Sequence, residues 1–233
     1  MAERARQAAP ASSGNGRGVA PTPRTARGQA TRGTYGALDL GTNNCRLLIA
    51  RPAGDGFVVI DAFSRIVRLG EGLAASGRLS EAAMDRAVAA LAVCADKLRR
   101  RNVTLVRSVA TEACRRAVNG AAFVDRVRAE TGIRLEIISA EQEARLAVTG
   151  CQALLEPGSG PALVFDIGGG STELVLLDDE REGSPRIGDW VSAPWGVVSL
   201  SESEPHMGDD ESALRAAYGR MRARVRDAFA PFA

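Results

Sequence analysis

The chain has 233 residues, 45% of them hydrophobic, with 30 basic and 28 acidic side chains and one histidine. That length supports one large domain or two small ones with a real core, and no apolar run approaches the roughly 18–20 residues of a membrane span. With His206 as the sole histidine, Ser–His and Cys–His catalysis are disfavoured, and acid–base work falls to carboxylates.

Residues 1–34, "MAERARQAAPASSGNGRGVAPTPRTARGQATRGT", lack the apolar segment of a secretory signal and have too few large apolar residues to offset their own ordering. They read as a disordered tail. The tail carries six Arg and one Glu, a net of +5, which leaves the body with 24 basic and 27 acidic residues, a net of −3. A mildly acidic body argues against a nucleic-acid-binding domain.

From residue 35 the elements follow in order. "YGALDLGTNNCRLLIARP" (35–52) reads as strand, polar turn, strand, and "GFVVIDAFSRIVRLG" (56–70) continues β-rich. The spacing over 79–101 predicts a helix with Ser80 as N-cap and basic residues in its last turn. "VTLVRSVA" (103–110) reads as a buried strand, 121–132 as a helix closed by Gly132, 134–139 as a short strand, and 140–155 as a helix ending before "EPGSGP". After that linker come strand–turn–strand over 162–178, a further strand region over 187–200, and a helix over 209–230. The four cysteines form no CxxC pair and read as reduced thiols of a cytosolic protein.

The pattern repeats. Shifted by 127 residues, Asp39 falls on Asp166, Gly41 on Gly168 and Leu47 on Leu174, while Leu38, Leu40, Leu48 and Ile49 fall on Phe165, Ile167, Val175 and Leu176. Each copy ends a strand on an aspartate and turns through small residues: Gly41-Thr42-Asn43-Asn44 and Gly168-Gly169-Gly170-Ser171-Thr172. Three consecutive glycines cost conformational entropy and pack nothing within a strand. Small residues in succession let backbone N–H groups converge on an anion. A dinucleotide fingerprint must open a helix, whereas Gly170 precedes the β-rich "STELVLL". Two such turns facing across a cleft would grip a chain of phosphates, with Asp39 and Asp166 placed to share a Mg²⁺ ion. The plain alternative is a pair of ordinary Gly-rich hairpins.

These residues resemble the actin-like ATPase superfamily of actin, heat-shock chaperone ATPase domains and sugar kinases. More narrowly, "LDLGTNNCRLLI", "VATEACRRA", "IISAEQEARLAVTG" and "FDIGGGSTELVLL" resemble the exopolyphosphatase/guanosine pentaphosphate phosphohydrolase (Ppx/GppA) family in order and spacing over about residues 35–200. The resemblance implies an α/β fold of two RNase-H-like domains flanking a cleft, here 35–156 and 161–233, the second incomplete. It implies Mg²⁺-dependent hydrolysis of a terminal phosphoanhydride in polyphosphate or pppGpp. Glu143 matches the family's catalytic acid, Arg115 and Arg46 its cleft arginines, and Asn43, Asn44, Gly168, Gly169, Gly170, Ser171 and Thr172 its phosphate-binding turn positions. Chemistry agrees, because water is a poor nucleophile and a carboxylate within reach is its natural helper. The plain reading of Glu143 is a solvated acid in a helix first turn, and that of the arginines a charged surface. Glu141 is the weaker candidate, and Glu173 could instead orient metal or water.

The second copy lacks the βαβα that follows in the first, so the strand "ALVFDI" is expected to show an unpaired apolar edge. That absence suggests a truncated gene product, and the edge invites a homodimer. A binding-only homologue and a sugar kinase or chaperone-like ATPase are the competing readings. Nothing in the residues separates polyphosphate from pppGpp.

Overall fold

The computed structural model describes residues 33–54, 56–155, 160–178, 186–204 and 210–232. Residues 1–32 of the expected tail and 156–159 of the 156–161 linker lie outside them, whereas Thr34, expected in the tail, is 5% exposed and its N–H donates to Thr104 Oγ1 at 3.3 Å. Strands β1 (Tyr35–Leu40), β2 (Asn44–Ala53) and β3 (Gly56–Ile66) form an antiparallel meander. Alternation sends Leu38, Leu40, Leu47 and Ile49 to one face, where each is at most 2% exposed. A short helix α1 (Leu73–Ser76) leads to α2 (Glu81–Arg100), which covers that face with Met84, Leu91 and Cys94. The Ser80 side chain accepts from the Ala83 N–H at 3.2 Å, satisfying one of the helix's free donors.

Strand β4 (Leu105–Ala110) then pairs in parallel with β1. Helices α3 (Glu112–Arg116) and α4 (Gly120–Thr131) cross over to β5 (Glu136–Ile137), parallel to β4. The sheet order β3-β2-β1-β4-β5 is that of an RNase-H-like unit. Gly132, with φ of 76°, closes α4 in the left-handed region that favours glycine. Strand β4 is buried only over Ser108–Ala110, because Leu105 and Val106 face solvent.

Helix α5 (Ala140–Cys151) ends in a 3₁₀ turn, Gln152–Leu154. The sequence order places it in the first unit, yet its Ala144 and Val148 pack on the second sheet, against Val164, Val175 and Leu177. That sheet is the antiparallel set β6 (Ala162–Ile167), β7 (Thr172–Leu177) and β8 (Ile187–Ala193), in that order. Residues 197–200, expected to extend the strand, instead begin α6 (Val197–Ser203), because the Ser199 hydroxyl accepts from the Gly196 N–H at 2.9 Å and caps a helix start. Helix α7 (Glu211–Phe229) follows, capped by the Asp210 carboxylate. The fold is α/β, with two RNase-H-like sheets in one compact unit; within the described residues the second sheet holds three strands. All four cysteines are free thiols. Among the described residues no helix is long and apolar enough to cross a membrane.

Candidate active site

The two hairpins close alike: Gly41 N–H donates to the Asn44 carbonyl at 2.9 Å, and Gly168 N–H to that of Ser171 at 2.9 Å. Their outer carbonyls are then taken up by the chain that follows. Asn43 O accepts from Val67 and Arg68, and Thr42 O from Gly70; Gly168 O and Gly169 O accept from Val197 and Val198 at the start of α6. The Thr172 hydroxyl donates to the Trp195 carbonyl at 2.7 Å, so it braces the turn rather than reaching for a ligand.

The turns meet each other. A Cβ at Gly169 would lie 3.1 Å from Asn43 Cβ, and one at Gly170 would lie 2.5 Å from Thr42 Oγ1 and 3.0 Å from Glu112 Cγ. On the other side, a Cβ at Gly196 would lie 2.5 Å from the Gly168 carbonyl oxygen. Close packing therefore denies a side chain at two of the three glycines, whatever their backbone N–H groups bind. Gly169 and Gly170 are bare because protein packs against them, bringing the two repeats together turn to turn.

Behind the turns, register pairs the acids. Asp39 stands directly across from Arg46, and Asp166 across from Glu173. Burial raises the Asp39 pKa, the Arg46 guanidinium opposes that, and the Asp166 charge adds to it. Glu173 is 1% exposed. Its pKa is raised by burial, against hydrogen bonds from Ser192, at 2.8 Å, and from Ser171.

Glu143 joins this group from α5. The helix begins with a capping box in which Ser139 Oγ accepts from Gln142 N–H at 3.1 Å and Gln142 Oε1 from Ser139 N–H at 2.9 Å. That start turns Glu143 inward, while Glu141 stays exposed and pairs with Arg145. Burial and then the Glu173 charge push the Glu143 carboxyl up to about 7, with Arg115 pulling it down. Arg115 Nη1 donates to Glu143 Oε2 at 3.1 Å and to the Ile138 carbonyl at 2.8 Å.

The structure thus brings Asp39, Asp166, Glu173, Glu143 and Arg115 into one electrostatic cluster. Arg46 is exposed at its edge, beside a cavity of about 460 Å³ lined also by Asp39, Leu48, Phe63, Arg107 and Leu146. Thr42 and Ser171 are buried, and Asn43 and Asn44 half-buried. Among the described residues no three His, Cys, Asp or Glu side chains stand as a ready metal set. The sequence reading missed Glu112, a buried acid three residues before Arg115; that i, i+3 spacing is visible, but its burial is not.

The arrangement can be set beside known proteins. The model of the Ppx/GppA phosphatase family matches residues 48–230. A solved exopolyphosphatase-like protein is 31% identical, with a TM-score of 0.72, covering 84% of this chain and 61% of its own. The Aquifex aeolicus PPX-GPPA enzyme is 30% identical (TM-score 0.63; 84% and 64%), and an exopolyphosphatase from Cytophaga hutchinsonii 28% identical (TM-score 0.69; 85% and 63%). The chain therefore spans less than two thirds of each of these structures. A match over most of this chain, together with two RNase-H-like sheets meeting at paired glycine turns, leads to one assignment: the chain belongs to the Ppx/GppA phosphatase family.

Proposed function

We propose that this chain hydrolyses the terminal phosphoanhydride bond of inorganic polyphosphate or guanosine pentaphosphate with Mg²⁺. One observation carries the reading: Glu143, with a carboxyl titrating near 7, stands among buried acids behind two glycine turns. Glu143 takes a proton from water as the water oxygen bonds to the terminal phosphorus and the bridging P–O bond breaks. A base must be ionised, so the rate rises with pH through about 7 and levels above it. Backbone N–H groups of the turns, with Asn43 and Asn44, hold phosphate oxygens, and exposed Arg46 offsets their charge.

Asp39 and Asp166 fit a Mg²⁺ ion. They are hard oxygen donors near enough for one charge to raise the other's pKa, and Mg²⁺ takes one or two carboxylates alongside substrate phosphates. When bound, the ion supplies charge neutralisation at the phosphoryl oxygens.

The test is Mg²⁺-dependent orthophosphate release from long-chain polyphosphate and from pppGpp, by this chain and its Glu143→Gln variant. Release that falls by roughly 10²–10⁴-fold in the variant is the expected result; release equal in both sinks the assignment of Glu143. The competing reading is binding without turnover. Saturable polyphosphate binding with no release from either chain would establish that one.

A further inference from the structure

We propose that Glu112 is a positioning residue whose carboxylate fixes the Arg115 guanidinium so that one of its amino groups is delivered to Glu143. The proposal rests on the reading of Glu143 as the base.

Glu112 opens α3 just beyond the end of β4 and is 8% exposed. Its Oε2 accepts from Arg115 Nη2 at 2.6 Å and from Nε at 3.1 Å. Arg115 Nη1 is thereby turned the other way, onto the Ile138 carbonyl and Glu143 Oε2. Four of the five guanidinium N–H groups are thus engaged by protein. An arginine so committed has little left for a phosphoryl oxygen, and it links α3 to the start of α5. Two further contacts hold Glu112. Arg116 Nε lies 3.7 Å from its Oε1, and its Cγ fills the space that a Cβ on Gly170 would need.

An ordinary i, i+3 helix pair looks different. Such a pair is exposed and contributes a few tenths of a kcal/mol. Here the Glu112 and Arg115 side chains are 10% and 21% exposed, and the arginine reaches off its own helix to a third residue. Glu143 is faced by Arg115 from α3, by Glu173 from β7 and by Asp39 from β1. Arg115 is the one cation among these groups, so its orientation bears directly on the Glu143 charge.

The experiment is ¹⁵N guanidinium NMR of Arg115, with ¹³C carboxyl titration of Glu143, in the unaltered chain, Glu112→Ala and Glu112→Gln. A fixed guanidinium gives separate Nη1 and Nη2 signals, and these should merge in Glu112→Ala. Because both variants lack the Glu112 charge, the Glu143 midpoint should lie about one unit more alkaline in Glu112→Ala than in Glu112→Gln, a tenfold difference in proton affinity. Glu112→Gln, whose amide oxygen still accepts from Arg115, should keep the signals apart. Arg115 signals that stay resolved in Glu112→Ala, or a Glu143 midpoint there that equals or lies acidic of that in Glu112→Gln, overturn the proposal. Should Glu112→Ala not fold, Glu112→Asp draws the carboxylate back by one carbon and carries the same expected direction. None of these readouts needs turnover, so absence of phosphate release counts against the hydrolase reading alone.

Discussion

The two hairpins are the same structure put to different uses. In the first, Leu38, Leu40, Leu47 and Ile49 lie under α2 and are at most 2% exposed. Their counterparts 127 residues on include Phe165 at 64%, Ile167 at 60% and Leu176 at 38%. The second sheet is instead packed on its other face, by Ala144 and Val148 of α5. Charge diverges as well. The residue paired across from the aspartate is Arg46 in the first copy and Glu173 in the second. One hairpin is balanced and anchored in the main core. The other sets two acids side by side and borrows its cover from a helix that also brings Glu143. The two hairpins share their turn geometry and differ in side-chain charge and burial.

The contrast in burial gives the largest expected effect. Leu38→Ala should cost about 3 kcal/mol, from lost transfer energy and a cavity under α2. Phe165→Ala, at the matching position, should cost no more than about 0.5 kcal/mol. Urea unfolding measures both, and equal losses would mean that Phe165 is covered in solution.

The turns come next. Gly170→Ala would press a methyl onto Thr42 Oγ1 and should cost about 2 kcal/mol, lowering Tm by roughly 5 °C. Gly41→Ala meets only the Asn44 carbonyl oxygen at 3.5 Å and should leave Tm nearly unchanged. Thermal denaturation of the two variants decides whether the glycine run serves the contact between repeats.

The smallest effect is the most specific. Because the Glu143 carboxyl titrates near 7, above its ordinary range, the folded chain binds that proton more tightly than the unfolded chain does. Its ionisation therefore costs stability progressively as pH rises from about 4.5 to 7, and the cost is complete above 7. Glu143→Gln should be about 1 kcal/mol more stable than the unaltered chain at pH 8 and no more stable at pH 4. A stability difference that does not vary with pH would place Glu143 in solvent.

Much of this was legible in the residues. Period-two alternation around an Asp-x-Gly turn showed both hairpins, and the same pattern recurs 127 residues apart. Ser80 and Gly132 marked the ends of helices because capping is local chemistry. The α6 start reads as strand from sequence, since "VVSL" is β-rich and part of what makes it helical, the Gly168 and Gly169 carbonyls that take the Val197 and Val198 N–H groups, lies about thirty residues away. Allegiance of α5 was illegible for a different reason: Ala144 and Val148 form an apolar stripe that fits either sheet.

The sequence alone determined the two turns, the aspartates that precede them and the acid-bearing helix start, because each rests on neighbours within a few residues. Only the tertiary structure decided that Gly169 and Gly170 are bare for Thr42, Asn43 and Glu112, and that Arg115 points at Glu143. Those outcomes depend on which surfaces meet when two distant hairpins pack together. A chain's local periodicity does not encode that meeting; burial and the satisfaction of buried charge do.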